Sequence, residues 1–163
     1  MIRTQQHRGF TLIELVLSLA IVSILAALAA PMFGNNESLQ VDVTRRILIS
    51  DLEYAQIIAI SHPDEEIAVL FDADGRGWHI ANTDTPEIPL RNSVTDEPIT
   101  LKLGEGPAAS ASNVIVSTSS ENNMIIFDQN GGLSDFTQTV EISITSGETV
   151  TVVQVSPMTG SIK

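Results

Sequence analysis

The side chains here that could do chemistry are spaced so that few of them form a reactive constellation. Asp72-x-Asp74-Gly75 opens like a calcium loop, in which carboxylates at alternate positions ring a hard cation. An EF-hand then needs an oxygen ligand at its fifth position, Gly at its sixth and a bidentate Glu at its twelfth. Arg76, Gly77 and Thr83 stand at those places, so a turn is expected and not a cation site. His7, His62 and His79 lack the spacing of metal ligands, Asp128 and Asp135 are isolated, and no metal site is expected. The absence of Cys excludes disulfides and thiol chemistry. There is no Gly-x-Ser-x-Gly elbow, phosphate loop or dinucleotide fingerprint, so the chain reads as a non-enzyme that needs no cofactor. Ser117 to Ser120 reads as an exposed polar loop, and Trp78 as the anchor of a small core.

One ionisable group does stand out. Phe10 to Phe33 is an apolar run of 24 residues that contains a carboxylate, Glu14. As a helix the run would measure about 36 Å, against about 30 Å of bilayer hydrocarbon. It follows a short basic leader, Met1 to Gly9, carrying Arg3 and Arg8. Positive flanks stay cytoplasmic, so a single crossing is expected to leave the bulk of the chain on the far side. Three readings compete. A cleaved secretory signal would use Ala27, Ala29 and Ala30 as its small-residue site. A plain signal anchor would let Glu14 snorkel to the near interface. In the third reading Glu14 is kept for a partner in an assembled state, because an isolated carboxylate in hydrocarbon costs several kcal/mol. Ser18, Ala20, Ser23, Ala26, Ala27, Ala29 and Ala30 permit close helix packing, and Pro31 removes a backbone donor near the end of the run.

The string from Arg8 to Pro31 resembles the N-terminus of type IV pilins and of the pseudopilins of type II secretion. Gly9 followed by Phe10, the Thr11-Leu12 pair, Glu14 as the fifth residue after Gly9, an unbroken apolar helix and Pro31 near its end coincide. The resemblance implies a prepilin peptidase cutting after Gly9 and methylation of the new amino terminus of Phe10. It implies that Glu14 pairs with the Phe10 ammonium of a neighbouring subunit, and that the helix bends or melts near Pro31 during assembly. Removing nine of 163 residues leaves 154.

The rest of the chain must supply a domain for that helix to carry. Val41, Thr44, Leu48, Leu52, Ala55 and Ala59 recur at three and four residues and mark the buried face of a second helical stretch. Asp42, Arg45, Arg46, Asp51 and Glu53 are expected on its outward side, and Pro63 should end it near His62. The period then falls to two. Strands are expected at Ile67 to Phe71, Gly77 to Ile80, Ile99 to Leu103, Asn113 to Thr118, Met124 to Phe127, Val140 to Thr145 and Val150 to Ser156. Asp84 to Pro98 reads as a long loop, and Gly104 to Ser112 as a small-residue, flexible stretch.

The expected fold is therefore α+β and pilin-like, a long N-terminal helix packed on a small antiparallel β-sheet domain, with a transmembrane half and an amphipathic half to the helix. The expected division is a leader over 1–9, a transmembrane and assembly helix over 10–34, and a globular domain over 35–163 that is helical to about 62. Looser matches lie in Leu52-Glu53-x-Ala55, Gly77-Trp78, Phe127-x-x-x-Gly131 and Val155-x-x-x-Thr159-Gly160-x-Ile162. They resemble the H-type minor pseudopilins more than the major one. That resemblance implies a minor subunit of the type II secretion pseudopilus, with a minor type IV pilin acting in pilus assembly or DNA uptake as the alternative. The implied partners are other pseudopilins or pilins in a helical filament, the prepilin peptidase, an inner-membrane assembly platform and membrane lipid. The implied location is the bacterial inner membrane, single-pass, with the C-terminal domain in the periplasm. Twenty acidic against eight basic residues give a net charge of -12, which disfavours direct nucleic acid binding.

Overall fold

The computed structural model describes residues 11–29, 36–120, 122–134 and 137–163. They fall into two compact units, 1–36 and 37–163.

The first unit contains α1, Leu12–Ala29. Leucine, isoleucine, valine and alanine fill it, so helix propensity is high, but no polar side exists to orient it. From 12 to 27 every side chain is exposed. The expectation of a transmembrane crossing over 10–34 is corrected here. The described helix has 18 residues, about 27 Å in length. Among the described residues no helix is long and apolar enough to cross a membrane. Single-pass anchoring, with the inner-membrane and periplasmic placement and the lipid contact that followed from it, has no support in this structure. Phe10 and the stretch from Ala30 to Gly34, which completed the expected span, lie outside the described residues.

In the second unit, α2 runs over Glu37–Ser61 and buries Val41, Thr44, Leu48, Leu52, Ala55 and Ala59, the face expected from their spacing. Two antiparallel sheets wrap it. The larger has the order β3-β2-β1-β5, from β1 (Ile67–Phe71), β2 (Gly77–Asn82), β3 (Thr100–Lys102) and β5 (Met124–Phe127). The smaller has the order β4-β6-β7, from β4 (Ile115–Thr118), β6 (Val140–Ser146) and β7 (Thr149–Val155). Register places Val69 against both Ile80 and Ile125, and Phe71 against Trp78, so β-branched and aromatic side chains meet on one face. On the smaller sheet the pairs Val140–Val155 and Ile142–Val153 and the contact of Val116 with Ile144 do the same. All these residues join the α2 face in one core. The β6–β7 hairpin closes on Gly147-Glu148, with Gly147 at φ 55°, a glycine-first turn that matches strand twist.

Two segments differ from expectation. Gly104 to Ser112 is not a loose stretch: Gly106–Ala111 forms a 3-10 helix whose Ala108 and Ala111 are wholly buried. Their lack of bulk lets the backbone approach α2, which makes the small residues packing residues. Asp51 does not face outward. It is half-buried beneath Trp78, as described next.

Candidate functional site

On α1 the described site residue is Glu14. Its backbone N–H donates to Thr11 Oγ1 at 3.3 Å, and the Thr11 N–H reaches back to Glu14 Oε2 at 3.5 Å. This is a capping box, a reciprocal pairing of two otherwise orphan helix-end donors. The Thr-x-x-Glu signal was present in the sequence and went unused. Glu14 thus has a local task that needs an acceptor but not a charge. Further along, Ser18 and Ser23 donate their hydroxyls to the carbonyls of Glu14 (2.7 Å) and Leu19 (2.8 Å). Both serines can therefore face an apolar neighbour without an unmet donor. Leu12 at 82% and Ile13 at 74% exposure belong to a helix that is apolar all round, an exposed apolar surface of the kind that marks an interaction site. Gly9, Phe10 and Pro31 lie outside the described residues.

The second unit holds a concavity of about 340 Å³ between α2, the loop before β3 and the start of the 3-10 helix. At its inner wall Trp78, buried and tilted against Phe71, donates its indole Nε1–H to Asp51 Oδ2 at 2.8 Å. Burial raises the Asp51 carboxyl above its ordinary value, and the indole hydrogen bond offsets part of that rise. Only Glu97, of the other lining residues, is titratable. The Asp72–Gly75 stretch is a turn: Gly75 N–H donates to the Asp72 carbonyl, and Asp74 Oδ1 accepts from the Arg76 N–H at 2.9 Å. Among the described residues no three His, Asp or Glu converge as metal ligands.

Asp51 supports a paired prediction. Asp51→Ala leaves a buried indole N–H without an acceptor and should cost about 1–3 kcal/mol. Asp51→Asn keeps the acceptor, removes the desolvated charge and should be at least as stable as the parent at pH 7. Because the folded carboxyl titrates above the unfolded one, its stabilising contribution is full below the unfolded value of 3.8 and is lost as pH rises through the raised folded value. The advantage of the Asn variant should therefore grow from pH 3 to pH 7 in urea denaturation. A constant difference between the two proteins would show that Asp51 is not desolvated.

A lone helix apolar on all sides, and a domain built by wrapping two antiparallel sheets on an amphipathic helix, define the class as pilin-like structural subunits. A prokaryotic N-terminal methylation motif matches residues 4–30, and the family described as type II transport protein GspH matches residues 45–159. The chain belongs to the GspH family. It is a minor pseudopilin or type IV pilin-like subunit of secretion or pilus assembly, a structural component and not an enzyme. Its fold is similar to the minor pilin FimU of Pseudomonas aeruginosa, with TM-score 0.54, 20% identity and coverage of 77% of this chain and 88% of that one. It is also similar to the type 2 secretion minor pseudopilin EpsH of Vibrio cholerae, with TM-score 0.55, 12% identity and coverage of 76% and 94%. At such identities the similarity speaks to fold alone. No curated protein sequence matches the chain.

Proposed function

We propose that this chain is a minor subunit of a type II secretion pseudopilus. The single observation that carries the choice is the match to the type II transport family over residues 45–159, which spans α2 beyond Arg45 and all seven strands. In this reading a prepilin peptidase cuts after Gly9 and the new amino terminus of Phe10 is methylated, as the motif at residues 4–30 supports. Glu14 pairs with the Phe10 ammonium of the adjacent subunit. A charge pair inside a packed apolar bundle is costly when unmatched and favourable only in register, so it selects one axial offset between helices. Other pseudopilins cover α1, an assembly platform feeds subunits in, and Pro31 gives the helix freedom to bend as they enter.

Deleting the gene should leave specific exoproteins with the cells while surface fibres persist. An unchanged secreted set, with surface fibres lost, would overturn the secretion reading and favour a pilus subunit.

A further inference from the structure

The concavity beside Asp51 lies within the second unit. Its walls are largely apolar, with Ile47, Pro98, Ile99 and Leu101 along them. Its charged residues are Asp51 and Glu97, and no Lys, Arg or His lines it. Asp51 spends one carboxylate oxygen on the Trp78 indole, and among the described residues no other side chain bonds to it. The core itself does not call for this charge. An asparagine would accept the indole N–H equally well and would avoid placing an anion among apolar side chains. A carboxylate oriented by a buried tryptophan and lining an apolar hollow complements a cation on an aliphatic stem.

We propose that this concavity is a socket for an arginine side chain of a partner protein. The methylenes of the stem lie along Ile47, Pro98 and Ile99, as long cationic side chains do on apolar surface. The guanidinium meets the open oxygen of Asp51, and its remaining donors face the Glu97 carboxylate and the Thr95 hydroxyl. Arginine fits better than lysine because its planar fork serves several acceptors at once and is more weakly hydrated. Protein is the expected source for two reasons: the subunit works packed among other chains, and its net charge of -12 draws basic partners. This inference stands on the second unit alone and survives or fails independently of the secretion assignment.

Trp78 is the only tryptophan, so the full chain has a single indole N–H resonance that reports on Asp51 directly. The chain, ¹⁵N-labelled and held in neutral detergent to cover α1, is titrated with the capped peptide Ala-Ala-Arg-Ala-Ala. Parallel titrations use its citrulline counterpart, which has the same shape without the charge, and free arginine. The arginine peptide should shift the indole resonance saturably, and the citrulline peptide should bind at least about tenfold more weakly, the scale of one lost charge-assisted hydrogen bond. Asp51→Asn, which retains the indole acceptor, should lose a similar factor, and Glu97→Gln a smaller one. The proposal is overturned by equal binding of the arginine and citrulline peptides, by unchanged binding to Asp51→Asn, or by no saturable shift. It is likewise overturned if free arginine binds more tightly than the peptide, since the socket would then take a small molecule.

Discussion

Replacing Glu14 with Gln should leave the N-terminal helix intact and still reduce incorporation into filaments on the order of a hundredfold. Glu14 caps the helix, and in the proposed assembly it also pairs with a charge. As the third residue of the helix, Glu14 accepts from the Thr11 N–H in the capping box, and a glutamine carbonyl does this equally well. As the proposed partner of a neighbour's Phe10 ammonium it must carry charge, which glutamine lacks. Breaking a buried ion pair by removing one member typically costs about 3–5 kcal/mol, hence a factor near or above a hundred. Glu14→Ala removes both roles and should add a capping loss of about 1 kcal/mol. The measurement is the ratio of filament-borne to total subunit, by immunoblot after shearing, alongside the N-terminal sequence of the cell-associated protein. If Glu14→Gln enters filaments like the parent while Glu14→Ala does not, the carboxylate works only as a cap.

Gly160→Ala should be the most damaging single methyl in the second unit, costing about 2–5 kcal/mol. Gly160 has φ 60°, and an added Cβ would collide with the Gly131 carbonyl oxygen and the Gln56 amide. That amide donates to Gly131 O at 2.6 Å and Thr159 O at 3.4 Å, so one α2 side chain clasps two turns 75 and 103 residues away. The left-handed backbone alone contributes about 1–2 kcal/mol, and crowding against fixed backbone about 1–3 more. Gly106→Ala is the control: its φ is 48°, and nothing lies within 4 Å of the added carbon, so only the first cost applies. Urea denaturation midpoints at constant slope compare the two. Equal losses would mean that the clasp yields and that the tail is not held by Gln56.

Local periodicity carried much of this fold into view. The six buried positions of α2 follow from three- and four-residue spacing, because a helix repeats every 3.6 residues whatever packs on it. β1 and β5 begin and end where their β-branched and aromatic runs do, and Pro63 stops α2 by denying the next turn its geometry. Other features depended on distance in the chain. Asp51 looked like a surface charge because its own helix places it beside the buried stripe, and only Trp78, 27 residues on, draws it inward. The loose Phe127-x-x-x-Gly131 and Thr159-Gly160 matches gained a physical meaning when both turns proved to meet at Gln56. The alanines of the 3-10 helix read as slack until α2 was seen against them. An apolar run of 24 residues suggested a membrane crossing, and among the described residues no helix is long and apolar enough for one.

Whatever depends on neighbours along the chain was legible locally: the helix and strand periods, the caps and breaks, the acidic balance and the methylation motif over residues 4–30. Only the fold decided the clasp of two distant turns by Gln56 and the burial of one acid beneath one tryptophan. Those features rest on contacts between residues tens of positions apart, and the energy of such a contact depends on what surrounds it, which no local pattern encodes.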